Sequence, residues 1–160
     1  MKMTILAIGR MKAGPEKELC DDYLTRTRSL GRTCGITTLD VRDFPESGFD
    51  DAGRRREAEA KALSGTLDPH CFQIVLDETG RTLKSTDFAA LLRREMDGGA
   101  GELAFLIGGP DGHAPSTRVS ANFVLSLGPM TWPHRLVRIM LAEQIYRAVT
   151  IMVNHPYHRP

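Results

Sequence analysis

Hydrophobic and polar positions along this chain switch between a period of two and a period near 3.6, and the switches mark its elements. Residues 3–8 form an apolar strand at the very start, closed by Gly9. From 15 to 30, Leu19, Tyr23, Leu24 and Leu30 recur among charged residues, which predicts an amphipathic helix with Pro15 in its first turn. A second strand is expected over 36–41. A second helix follows over 50–63, with acids at its front and Arg54, Arg55, Arg56 and Lys61 further along. Residues 72–76 are almost continuously apolar, the pattern of a strand covered on both faces. Ser85-Thr86-Asp87 offers a helix N-cap before Phe88, Leu91, Leu92 and Met96 on one face. Gly98-Gly99-Ala100-Gly101 breaks the chain ahead of a buried strand at 103–107. The last strand is expected over 122–127 and the terminal helix from about 134 to 152.

This alternation predicts an α/β fold, a three-layer sandwich around a mostly parallel sheet. Ligands in such sheets bind beyond the carboxyl ends of the strands. Three loops therefore matter: 77–80, 108–112 and 128–133. With 160 residues, 41% hydrophobic and 26% charged, the chain can bury one core, so a single domain over 1–160 is expected. The apolar runs are short for a bilayer span and the N-terminus lacks a signal-peptide pattern, which predicts a cytoplasmic protein. Cys20, Cys34 and Cys71 are odd in number and lack metal-type spacing; they are read as reduced structural thiols. A net charge of +1 leaves any nucleic-acid site to local clusters, and Arg54-Arg55-Arg56 reads first as a solvated helix face.

Ile107-Gly108-Gly109-Pro110-Asp111-Gly112 has glycines where backbone can approach a ligand, yet it lacks the ending of a phosphate loop and the order of a dinucleotide fingerprint. The terminal helix is apolar nearly all round, so its outer side is expected to meet another subunit. Within it Glu143 precedes Arg147 by four residues, a pair worth only ~0.2–0.5 kcal/mol on a helix surface. The closing Asn154-His155-Pro156-Tyr157-His158-Arg159 is too polar to fold by itself, although Tyr157 can stack on a base and its basic neighbours can meet phosphate.

Taken in order, Phe105-x-Ile107-Gly108-Gly109-x-x-Gly112, Leu125-Ser126-Leu127-x-x-Met130-Thr131-x-Pro133-His134, Arg138-x-x-Leu141-x-Glu143-Gln144-x-Tyr146-Arg147-Ala148 and the final Tyr157-His158 form a specific pattern. It resembles the small single-domain ribosomal RNA methyltransferases of the SPOUT superfamily, which modify N3 of a pseudouridine in the large subunit. Ile8-Gly9-Arg10-x-Lys12 is similar to that family's opening, so the resemblance spans the chain.

The resemblance implies a deep trefoil knot in the C-terminal part, about 70–153, followed by a functional tail at 154–160. It implies a homodimer that binds S-adenosylmethionine, uses no metal and acts on ribosomal RNA within the assembled ribosome. By motif position the cofactor contacts fall on Leu76, Gly108, Gly109, Leu127, Gly128, Pro129, Met130, Thr131 and Trp132. The catalytic set is His134, Glu143, Arg147, Tyr157, His158 and Arg159. His134, Glu143 and His158 are the candidates for taking the N3 proton, and Arg147 or Arg159 for steadying the resulting anion. The competing readings are a non-catalytic ribosome- or RNA-binding α/β module, which would need no S-adenosylmethionine pocket, and a flavodoxin-like or hydrolase-type enzyme, weakened by the missing Gly-x-Ser-x-Gly elbow.

Overall fold

Five strands carry the predicted alternation: β1 (Lys2–Ile8), β2 (Thr38–Phe44), β3 (Phe72–Thr82), β4 (Glu102–Ile107) and β5 (Phe123–Ser126). In the computed structural model, which describes residues 1–159, they form one sheet in the order β2-β1-β4-β3-β5 with parallel pairing throughout. Ile5 of β1 lies opposite Val41 on one side and Phe105 on the other. Both faces of a parallel sheet must be covered by the crossover helices. Here α1 (Pro15–Gly31), α3 (Ser85–Asp97) and α5 (His134–Met152) cover one face, and α2 (Ala52–Ser64) with the short α4 (Pro115–Ser120) covers the other.

Alternate strand residues feed the two cores. Met3, Ile5 and Ala7 join Leu24, Leu92, Phe105, Leu141 and Ile145 on the α1–α3–α5 side. Leu6 and Ile8 join Leu63, Val75 and Leu106 beneath α2. Full burial of each such aliphatic side chain contributes about 1.5–3 kcal/mol. The thiols of Cys20 and Cys71 are buried in these layers, and burial pushes Cys71 up to about 11. Among the described residues no helix is long and apolar enough to cross a membrane.

Several boundaries differ from the sequence reading, each for a local reason. β2 starts at Thr38, because Ile36 follows the left-handed Gly35 into the core and its amide bonds to the Gly31 carbonyl at 2.9 Å. Ser85 does not cap α3. It begins the helix, and its hydroxyl donates to Gln144 on α5 at 2.9 Å. The cap of α2 is Asp51, whose carboxylate accepts the Arg54 amide at 2.8 Å. β3 runs past residue 76 to Thr82, with a register shift between Leu76 and Arg81 that throws Asp77 to Gly80 out of the ladder. The six residues of α4 are too few to leave a periodic signal.

Arg138 explains one charge on the apolar terminal helix. It is 5% exposed, lies 2.8 Å from Asp43 and donates to the carbonyls of Ile8 and Gly9. α5 is thereby fastened to the carboxyl ends of β1 and β2. At its other end, Asn154 takes a left-handed conformation (φ 55°) and the His155 amide reaches back to the Thr150 carbonyl at 2.8 Å, a Schellman-type stop that reverses the chain.

At Gly80 the backbones of β3 and β5 touch. A Cβ there would lie 2.7 Å from the Val124 carbonyl group and 2.8 Å from the Leu125 carbonyl carbon, all main-chain atoms rather than a flexible side chain that could yield. Gly80→Ala should therefore destabilise the fold by about 1–3 kcal/mol. Denaturant unfolding measures this, and an unchanged midpoint would show that β5 can move aside.

Candidate functional site

The three strand-end segments converge on one cleft of about 760 Å³, within the range of small-molecule sites. Asp77, Glu78 and Thr79 bulge from β3 on one side, Gly108 to Gly112 follow β4, and Leu127 to Pro133 close the third side before α5 begins. Of the residues expected to hold a cofactor, Leu76, Gly108, Gly109, Leu127, Gly128, Met130, Thr131 and Trp132 line this cleft. Pro129 sits on the same loop but is not among the wall residues. Leu76, Ile107, Leu125, Leu127 and Val137 make the wall aliphatic, while His134 stands at the N-terminus of α5. Residues of that first turn carry unpaired amides and the positive end of the helix dipole, which favours negative charge nearby.

The glycine loop is packed closely on its own neighbours. A Cβ on Gly108 would lie 3.0 Å from the Gly112 carbonyl carbon and 3.2 Å from the His113 ring; one on Gly109 would lie 3.0 Å from both Glu59 and Ile8. These glycines are needed because the loop packs on itself and on α2. Gly112, at φ +77°, closes the turn by donating its amide to the Gly109 carbonyl at 2.9 Å. The Arg54-Arg55-Arg56 run is also more than a solvated face. Arg54 stacks 4.7 Å from the Phe49 ring, and Arg55 pairs with Asp111 of the glycine loop at 2.7 Å.

Two polar residues of the cleft, His113 and Arg118, escaped sequence reasoning, and the roles of Asp77 and Asp111 within their loops emerge only from their partners. Burial opposes ionisation of Asp77, but the hydroxyl and amide of Thr79 and the Arg118 guanidinium at 3.2 Å outweigh it and hold the carboxyl below its ordinary value. Hydrogen bonding from Arg55 likewise holds Asp111 low. His113 is 6% exposed under the loop, with Nε2 3.2 Å from the Leu106 carbonyl, and burial depresses its pKa. No motif marks His113 or Arg118, whose partners are the Leu106 carbonyl of the preceding strand and Asp77 of β3. Asp77 was legible only as part of a strand-end loop.

The remaining expected residues gather elsewhere. Glu143 lines a neighbouring groove on the outer face of α5, where Arg147 Nη2 bonds it at 2.6 Å and the Tyr157 hydroxyl at 3.0 Å. Tyr157 packs edge-on against Tyr146 at 4.8 Å, with the Arg147 guanidinium 5.0 Å from its ring centre. The tail is thus seated on its own helix, which its polarity alone did not predict. His158 keeps its Nδ1 buried without a hydrogen-bond partner, and Arg159 is exposed. His134 and Arg147 are separated along α5 by about 20 Å at 1.5 Å per residue. The structure therefore brings His134 to the cleft and sets Glu143, Arg147 and Tyr157 away from it. Among the described residues no cluster of three or more His, Cys, Asp or Glu could hold a metal ion.

The depressed pKa of His113 carries a sign. Its neutral form stabilises the fold fully above the ordinary histidine value of about 6.5, and this contribution is lost as pH falls toward the folded-state pKa. Unfolding measured from pH 7 to pH 5 should show stability falling, and His113→Gln should flatten that slope. An unaltered slope would assign the acid loss to other groups.

The chain matches the family model described as "Predicted SPOUT methyltransferase" over residues 1–158. It is 45% identical over 159 residues, covering 99% of each chain, to the Ribosomal RNA large subunit methyltransferase H of Bradyrhizobium diazoefficiens, and equally to that of Brucella anthropi. Among solved structures it is similar in fold to a probable methyltransferase from Bordetella pertussis Tohama I (TM-score 0.51, 16% identity, 92% of this chain and 95% of that one). It is similar as well to a probable methylase family protein from Haemophilus influenzae Rd KW20 (TM-score 0.50, 13% identity, 95% of this chain and 66% of that one). With its sheet of parallel strands, its cleft at their carboxyl ends and a match along almost its whole length, the chain belongs to the SPOUT methyltransferases.

Proposed function

We propose that this protein methylates large-subunit ribosomal RNA from S-adenosylmethionine, at N3 of a pseudouridine, as a homodimer acting on the assembled ribosome in the cytoplasm. The observation that carries the reading is 45% identity along 99% of both chains to relatives named as large-subunit ribosomal RNA methyltransferases. Nothing in the comparisons favours a non-catalytic RNA-binding module.

The residues of the cleft fit the cofactor. Aliphatic walls from Leu76, Leu127 and Val137 suit a flat aromatic base, and backbone at Gly108 and Gly128 leaves polar edges open to approach. Asp77 and Glu78 line the same cleft and suit a cationic ligand. When bound, S-adenosylmethionine supplies an electrophilic methyl group on a sulfonium. The protein's task is then to present N3 without its proton. His134 stands where it can accept that proton, and the amides at the start of α5 favour the uracil anion that results.

Tyr157, His158 and Arg159 lie at the far end of α5 from the cleft of their own chain, so we assign them to the partner's cleft. The surface supports this pairing. Leu19, Met130, Trp132 and Leu136 are 38–67% exposed around the outer side of α5 and the loop before it, an apolar area that a second copy would cover. Glu143 and Arg147 then hold Tyr157 in place for use across the interface. The contact between the β3 bulge and β5 at Gly80 is the close backbone passage expected where a chain is threaded, and supports a trefoil knot in this region.

Mass mapping of ribosomal RNA from a strain lacking this protein should show the loss of one methyl group on a large-subunit pseudouridine, restored when the gene is returned. Unchanged RNA would refute the activity. For the shared site, Leu127→Arg places a charge in the cofactor wall, and truncation after Asn154 removes the tail. Mixed under conditions of subunit exchange, the two inactive proteins should recover part of the activity on ribosomes, since one cleft and one tail remain intact. With exchange verified and activity still absent, each tail would serve its own cleft.

A further inference from the structure

The helix α2 belongs to the opposite layer from α5, yet two of its residues, one turn apart, hold the glycine loop. Arg55 grips Asp111 with a fork: Nε donates to Oδ2 at 2.7 Å and Nη2 to Oδ1 at 3.2 Å. The third nitrogen of the same guanidinium donates to the carbonyls of Phe49 and Asp50, each at 2.7 Å. Glu59, 6% exposed, accepts the Ser47 amide at 2.9 Å through one oxygen, and its other oxygen lies beneath Gly109, 3.0 Å from where a Cβ would be. One helix thus fixes both the loop that leads into it and the loop that borders the cleft.

The two side chains of the Arg55–Asp111 pair are 27% and 28% exposed, so water screens part of the attraction between their charges. The forked geometry is directional, however, and it acts on a residue of the cleft wall. Within the loop itself, the turn is closed by the amide of Gly112 on Gly109, and glycines at 108, 109 and 112 give the backbone unusual freedom. A loop of that composition has to be held from outside if it is to meet a ligand already ordered.

We propose that Arg55 is a positioning residue of the cofactor cleft, holding the glycine loop in its binding conformation through Asp111, with Glu59 as the floor under Gly109. The proposal rests on the reading of the cleft as an S-adenosylmethionine site. Arg55 touches neither cofactor nor RNA in this role; it lowers the ordering cost that binding would otherwise meet.

Titration calorimetry with S-adenosylmethionine on the full chain tests it, alongside thermal unfolding. Arg55→Met and Asp111→Asn should each weaken binding about five- to tenfold while melting within a few degrees of the wild type. The double variant should bind no more weakly than Arg55→Met alone, because both changes cut one connection. Arg55→Lys keeps the charge without the fork and should fall between, so it and Asp111→Asn carry the test if Arg55→Met folds poorly. Unchanged affinity in the single variants would reduce the pair to a surface contact and overturn the proposal. Additive losses would do so too, by giving Asp111 its own contact with the cofactor. A wild-type chain that binds no S-adenosylmethionine would refute the cofactor reading itself, and the role of Arg55 with it.

Discussion

Strands that all run the same way must release their chain at one edge of the sheet, and almost everything distinctive about this protein follows from that edge. The bulge after Leu76, the glycine turn after Ile107 and the loop after Ser126 leave the sheet side by side. The last two turn into helices and the first bulges before rejoining its strand, so main-chain polar groups and small residues concentrate there while aliphatic strand ends form the floor. The cleft is a by-product of parallel pairing. What the sequence adds is the choice of side chains around it.

Helix α5 answers to the same edge twice. Its first turn forms part of the cleft, and one turn later Arg138 ties it to the ends of β1 and β2 through Asp43 and two carbonyls. A guanidinium can satisfy a carboxylate and strand-end carbonyls together because its donors point in several directions. Burying it without those partners would be costly. Its place on an otherwise aliphatic helix is therefore settled by three strand-end groups that lie far from it in sequence.

Much of this was legible from periodicity. Continuous apolar runs marked β1, the start of β3 and β4 as interior strands, and the loops between elements pointed to the region of the cleft before any contact was known. Most of the residues that line the cleft were legible through the order and spacing of motifs, because short segments such as Ile107 to Gly112 act locally. The failures share a physical form. Ser85, Arg55, His113 and Tyr157 each take their role from a partner in another element: Gln144, Asp111, the Leu106 carbonyl and Glu143. Local pattern reports which face a residue occupies and is silent about what waits opposite. The glycines at 108 and 109 were found for a property they share with many loops, while the atoms that demand them, in Gly112, Glu59 and Ile8, lie in other elements or further along the turn.

The place of β4 in the sheet also sets a timetable. β1 can pair with β2 once some forty residues exist, but its other side waits for β4, whose Glu102 lies opposite Lys2 about a hundred residues later. At a synthesis rate of roughly 5–20 residues per second, this largely apolar strand keeps one edge open for several seconds. Met3, Ile5, Leu6 and Ile8, the residues that later make both cores continuous, are during that interval an unpaired β-edge of the kind that other nascent chains can join. The order of strands that builds a well-placed cleft in the finished molecule thus makes its first segment the one most in need of shelter while the chain is being made.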